Sequence, residues 1–185
     1  MIRPILAFGH PHLRKKSERV TPDFPELKAL VADLYETMDN AKGVGLAAIQ
    51  VDIPVNVLVV NADPFQEDDS SLKGFRKTYI NLEILEESGE EWDYEEGCLS
   101  VPGINEKIRR KRDIKIAYDD VDFVRHTETV SGMVARILQH ENDHLEGRVL
   151  TDSLSSLRRT ILRKKLDNIS KGVITGKYRM NHPRK

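Results

Sequence analysis

Residues 131–147, SGMVARILQHENDHLEG, decide what this chain can be. Upstream of Ser131 the chain is strand-like. From Ser131 the apolar residues instead recur at steps of three and four, and Val134, Ile137, Leu138, Glu141 and Leu145 share one broad helical face. Ser131 is placed to cap the start of that helix, and Gly147 to stop it. Residues four apart lie one turn apart on the same face, so His140 and His144 can aim both imidazoles at one ion, with Glu141 beside them. Zinc or iron held there would draw the pKa of a bound water toward neutrality, and the carboxylate could take and return its proton. The competing interpretation is two surface histidines flanking a solvated glutamate.

Working outward, residues 25–39 place Leu27, Leu30, Val31, Leu34 and Met38 on one stripe, which predicts an amphipathic helix ended by Gly43 and Gly45. Residues 45–50 are small and apolar, and 55–60 (VNVLVV) form a β-branched run typical of a buried strand. Further strands are expected at 78–86, 90–95, 106–118 and 122–130. The polar stretch between Ala62 and Lys77 is expected to be a mobile surface loop. A last helix near 153–169 has Leu154, Leu157, Ile161, Leu162, Leu166 and Ile169 as its apolar side. Helix, strands, helix, helix is an α+β order, and no linker divides residues 1–185. The expectation is one domain of antiparallel or mixed strands packed around a central metal-binding helix, with an N-terminal and a C-terminal helix.

Composition bounds the class. With 185 residues, 39% hydrophobic and 32% charged, the chain can bury a sizeable core. No apolar run approaches the roughly 18 residues needed to span a bilayer. No secretory signal pattern opens the sequence, so a cytoplasmic location is the default; a monomer with no membrane partner is expected. The net charge of −1 hides an asymmetry: residues 151–185 hold ten Lys or Arg against Asp152 and Asp167. Such a basic helix and tail is most often a solvated face; the sharper alternative is contact with a polyanion such as RNA.

Two histidines need a third ligand. A metalloprotease with a third His would have it six positions after His144, where Leu150 stands, and no Glu follows Glu146. Asp167 lies at a comparable spacing, but among Lys164, Lys165 and Asn168 on a helix that looks solvated. Cys98, the single cysteine, is a better candidate, since a thiolate binds zinc or ferrous iron strongly. As a lone cysteine it could equally be a small buried hydrophobe.

Three short motifs then appear in order: Gly43-Val44-Gly45-Leu46-Ala47-Ala48-Ile49-Gln50, Glu96-Gly97-Cys98-Leu99-Ser100, and Gln139-His140-Glu141-Asn142-Asp143-His144-Leu145-Glu146-Gly147. Together they resemble the peptide deformylases, which remove the N-formyl group from nascent bacterial polypeptides. The resemblance implies one divalent metal held by Cys98, His140 and His144, with water at a fourth position. It implies Glu141 as the proton carrier, and Gln50 with the backbone N–H of Leu99 as oxyanion stabilisers. Formate and a free N-terminal methionine would be the products. Ferrous iron is the expected metal, with Ni2+, Co2+ or Zn2+ as substitutes. Val44, Gly45, Leu46 and Ile137 are expected to contact the formylmethionyl peptide, which could add a strand beside the glycine motif. The basic C-terminal segment is a candidate ribosome contact.

Softer expectations concern the surroundings. Glu96 could pair with Arg110, and Asp143 with a basic partner, although both acids could simply be surface charges. Arg136 stands where relatives often carry an apolar residue near the methionine pocket, which leaves the pocket's shape open. His10, His12, His126 and His182 match no ligand spacing and are expected to be structural or surface residues. Two other functions compete: a small HExxH zinc endopeptidase, which needs a ligand other than Cys98, and a non-catalytic metal-binding module, for which Glu141 has no use.

Overall fold

Five strands pair with their neighbours in sequence in a computed structural model that describes residues 1–183; Arg184 and Lys185 of the basic segment lie outside the described residues. In chain order the elements are β1 (Ile5–Leu6), α1 (Leu27–Asn40), β2 (Gly45–Ala47), β3 (Val57–Asn61), β4 (Arg76–Gly97), β5 (Asn105–Asp119), β6 (Arg125–Ser131), α2 (Gly132–Leu145), α3 (Ser156–Ser170) and β7 (Met180–Asn181). The sheet runs β2-β3-β4-β5-β6 and every pairing in it is antiparallel. The α+β expectation holds. No described helix is long and apolar enough to cross a membrane.

The run at β3 explains the layering. Alternate residues of a strand point to opposite faces. Leu58 and Val60 pack with Val134, Leu138 and Leu145 of α2, whereas Val57 and Val59 pack with Leu30, Leu34 and Met38 of α1. Both faces of the sheet are therefore covered here, which is why the run is apolar throughout. Each buried Leu or Ile contributes about 1.5–3 kcal/mol. That apolar face lets α2 carry Arg136, Gln139, Glu141 and His144 into the interior as well.

Several local expectations need correction. β4 is one strand of 22 residues, not two. The expected break is a bulge: register shifts between Ser88 and Glu91, and Gly89 takes φ +75. The ladder continues through the extra residue, so polarity alone made the segment look interrupted. Residues 62–77 were expected to form a mobile loop but hold two 3-10 turns, Asp63–Phe65 and Ser70–Leu72. Asp63 accepts from Gly74 N–H at 2.6 Å, Asp69 accepts from Ser71 N–H at 3.0 Å, and Leu72 is buried. Acidic side chains that close turns of this kind look merely hydrophilic in sequence.

Ser131 sits at the N-cap of α2 but makes no side-chain cap bond. Helix α1 ends at Asn40, and the left-handed residue after it is Lys42 (φ +56), not a glycine. On α3, Leu162, Leu166 and Ile169 are buried, while Leu157 and Ile161 stand exposed on the adjacent stripe. The parallel pair β1–β7 was not expected, because two-residue strands leave no periodic signal.

Candidate metal and catalytic site

The end of β4 delivers Cys98 to the face of α2 that carries His140 and His144. One donor atom from each of the three residues lies within 4.8 Å of the others, and Cys98 Sγ is 3.3 Å from His144 Nε2. A tetrahedral ion with bonds of about 2.3 Å to sulfur and about 2.1 Å to nitrogen would hold such donors roughly 3.6 Å apart. The three donors therefore fit one divalent ion, and their soft and borderline chemistry suits iron, zinc, nickel or cobalt. Asp167 is exposed on α3 and belongs to no such group among the described residues.

A buried ionic network fixes the ring of His140. His140 Nδ1 lies 3.0 Å from Glu96 Oε2, which leaves Nε2 for a metal. Arg110 grips Glu96 with two hydrogen bonds of 2.7 and 2.9 Å and donates to Asp143 at 3.0 Å; Arg148 also pairs with Asp143 at 2.8 Å. Both acids expected to be paired or surface charges are thus paired. Burial would raise the Glu96 carboxyl, but His140 and Arg110 outweigh it and hold it down at about 2. Burial also opposes a charge on His140, yet Cys98 and Glu96 prevail and push its pKa well up; at His144 burial wins and the pKa falls.

Arg136 joins this network. Its guanidinium donates to Glu96 at 2.5 Å and to the carbonyls of Ile108 at 3.1 Å and Trp92 at 2.8 Å, and it lies 4.1 Å from the Trp92 ring centroid. The residue is 2% exposed. An arginine in place of an apolar residue therefore borders the cleft while its terminal nitrogens cross-link α2 to β4 and β5. Sequence spacing alone could not reveal that direction.

Glu141 is buried, and its Oε2 has no partner among the described residues. Burial pushes its pKa up to about 7, against the opposing pull of His140. A cation held beside it would lower this value again. The carboxylate fits because Gly45 has no side chain: a Cβ there would come within 2.9 Å of Glu141 Cγ and Cδ. Gly45 thus makes room for the carboxylate in addition to its expected place beside a substrate.

The site opens into a cleft of about 750 Å³ lined by Val44, Gly45, Gln50, Leu99, Ile137 and Tyr178, among others. β2 is the edge of the five-stranded sheet, so no other strand of that sheet pairs with its outer side among the described residues. The side chain of Leu46 is fully buried in the core with Met38 and Val59 and does not line the cleft, so any contact of this residue with a peptide falls to its backbone. Gln50 lies in the 3-10 turn Ala48–Val51, not in a strand. Its Oε1 accepts from Ala47 N–H at 2.9 Å and its Nε2 donates to Ser100 Oγ at 3.3 Å, which fixes the amide and leaves one N–H of Nε2 for other use.

The turn after Cys98 is tied on its carbonyl side. Val101 N–H donates to the Cys98 carbonyl at 2.9 Å, Phe8 N–H to Ser100 at 2.8 Å, and the Tyr178 hydroxyl to Leu99 at 2.7 Å. None of these bonds uses the Leu99 N–H. Ser100 closes the second motif but was given no role in the sequence, and Tyr178 was missed because no motif surrounds it; the β1–β7 pairing helps bring residue 178 to the cleft.

Known proteins resemble this chain in sequence and fold. The family model for polypeptide deformylase matches residues 2–160. A peptide deformylase of Flavobacterium johnsoniae is 47% identical over 97% of this chain and 95% of its own length. One of Salinibacter ruber is 39% identical over 96% of this chain and 93% of its own length. Among solved structures, peptide deformylase from Ehrlichia chaffeensis in complex with actinonin superimposes with a TM-score of 0.82, at 34% identity and with 94% and 99% of the two chains covered. That of Plasmodium falciparum gives 0.81 at 33% identity, covering 91% and 95%. The matched motifs, the metal-donor triad and these relatives together place the chain in the polypeptide deformylase family.

Proposed function

We propose a specific division of labour for the reaction of this family, hydrolysis of the N-formyl group of nascent polypeptides. Cys98, His140 and His144 hold one divalent ion, and when bound that ion supplies Lewis acidity toward water and the formyl oxygen. Glu141 takes a proton from the attacking water and delivers it to the leaving amine, for which a carboxyl shifted toward neutrality is suited. Gln50 Nε2 and the Leu99 N–H stabilise the oxyanion, a role in which each donor is worth about 3–4 kcal/mol. The peptide adds as a strand along Val44, Gly45 and the backbone of Leu46, with Ile137 on the wall of the first side-chain pocket. One observation carries this assignment: an unpartnered buried carboxylate oxygen sits beside a set of three metal donors.

Ferrous iron is the metal we favour, since thiolate with two imidazoles suits it, with Ni2+, Co2+ or Zn2+ as substitutes. The reaction takes place in the cytoplasm on emerging chains, and the protein acts as a monomer. The exposed cations of α3, Arg159, Arg163 and Lys164, supply a surface for the ribosome. Removing residues 170–185 is not a clean test of that contact, because 175–178 line the cleft and β7 pairs with β1. Charge reversal on α3 is the better experiment: ribosome affinity should fall in a salt-dependent way, and unchanged affinity refutes the contact.

For the reaction itself, formyl-Met-Ala-Ser is incubated with anaerobically purified protein reconstituted with Fe2+. Formate should be released, and Cys98→Ser should lose bound metal and rate together. Absence of formate from the reconstituted wild type sinks the assignment. An endopeptidase using a ligand downstream of His144 would instead keep its metal in Cys98→Ser.

A further inference from the structure

We infer that Tyr178, on the C-terminal segment, is a positioning residue for the reaction: its hydroxyl holds the turn that presents the Leu99 N–H. The inference rests on the role proposed above for that N–H. The turn from Cys98 to Val101 has three successive carbonyls, each fixed from a different part of the chain. Cys98 is held from within the turn by Val101, Ser100 by Phe8 beside β1, and Leu99 by Tyr178. The bond to Cys98 orients the peptide that carries the Leu99 N–H, but the central peptide of the turn, between Leu99 and Ser100, is left free to rock and to pull on its neighbour, because neither bond reaches the Leu99 carbonyl. The Tyr178 hydroxyl, 2.7 Å away, closes that freedom.

The phenol is itself held. Its ring packs with the core cluster that contains Met38 and Leu46, alongside Leu99. A side chain at Gly176 would overlap the ring, so the chain can pass beside it only as glycine. Two residues further on, β7 pairs with β1: Ile5 N–H donates to the Arg179 carbonyl at 2.9 Å and Ala7 N–H to that of Asn181 at 2.8 Å. The same β1 region supplies Phe8 to Ser100, so one short parallel pair steadies the turn at two points. The segment from Thr175 to Tyr178 also lines the cleft, so the device that holds the turn faces bound peptide. An oxyanion donor displaced by a fraction of an ångström loses transition-state stabilisation while substrate binding is nearly unaffected.

The test is steady-state hydrolysis of formyl-Met-Ala-Ser by wild type, Tyr178→Phe and Tyr178→Ala, each normalised to bound metal. Tyr178→Phe keeps the ring and removes only the hydroxyl. Its kcat should fall about fivefold, as for loss of one net hydrogen bond, with KM within twofold of wild type. Tyr178→Ala should add a rise in KM, because the cleft wall is lost. Backbone hydrogen exchange across 98–101 should speed up in Tyr178→Phe relative to wild type. An unchanged kcat in Tyr178→Phe overturns the inference. So does a change confined to KM, which would make the residue a binding wall only, or a lowered melting temperature with unchanged kcat and exchange, which would make it merely structural. An inactive wild type would instead refute the proposed reaction.

Discussion

Replacing Gly45 by alanine separates the carboxylate geometry from everything else in the site. The backbone there is extended in β2, so alanine meets no conformational barrier. The obstacle is Glu141. The added Cβ would lie 2.9 Å from its Cγ and Cδ, whereas carbon atoms rest at about 3.5–4.0 Å, an overlap of roughly 0.6–1.1 Å. Glu141 is 4% exposed on a helix packed against the sheet, so it cannot swing into solvent. Overpacking of this kind costs about 1–3 kcal/mol, or a fall in Tm of roughly 2–12 °C for a chain of this size. Displacing a catalytic group by about 1 Å costs on the order of 100-fold in rate. Since proton transfer contributes about 10²–10⁴ in all, that loss is substantial but bounded. Gly43→Ala is the control. Its Cβ would overlap Leu99 Cδ1, at 2.8 Å, the end of a side chain that can rotate, and would meet Gly45 O and Met38 Cγ at an ordinary 3.4 Å, so its rate should fall less than about tenfold. Formate release at saturating formyl-Met-Ala-Ser, metal content and thermal melts of both variants form the assay. Metal content should be unchanged in both. Wild-type kcat in Gly45→Ala, or a larger loss in Gly43→Ala, would refute the reasoning.

Glu141→Gln should keep its metal and lower kcat by about 10²–10⁴, measured by formate release against elemental analysis; retained activity would remove Glu141 from proton transfer. Arg136→Met leaves the Trp92 and Ile108 carbonyls without their donor and Glu96 with fewer cations, so stability should fall by about 3 kcal/mol in urea melts. The loss should persist in Arg136→Lys, which lacks the fork that reaches three acceptors. Tyr178 is held up at about 12 chiefly by burial, against 10.0 for an ordinary phenol. A raised folded-state pKa contributes stability that is fully present below pH 10 and lost as pH rises toward 12. Alkaline titration of tyrosinate absorbance, wild type minus Tyr178→Phe, should therefore show a late phenol; a difference signal centred at pH 10 would contradict its burial.

What the chain alone determined is what local geometry determines. A helix repeats every 3.6 residues whatever surrounds it, so His140, Glu141 and His144 had to share one aspect of α2 once that helix formed. The alternation at β3 likewise follows from the pleat, and Cys98, the one cysteine, stood out as a candidate that the family resemblance then singled out as third ligand. Longer-range facts were illegible for an equally physical reason: they depend on which distant backbone a side chain meets. Arg136 reads as an intruder in a pocket until β4 and β5 bring Glu96 and two carbonyls to it. Leu46, within the glycine motif, reads as a contact for substrate, yet the core behind β2 takes its side chain and leaves only backbone. Gly45 is required by a carboxylate 96 positions later. Tyr178 reaches the cleft only through a parallel pair that joins the two ends of the chain. The sequence named the groups proposed to do the chemistry, and tertiary packing decided which groups hold them, because holding requires partners that only long-range contacts provide.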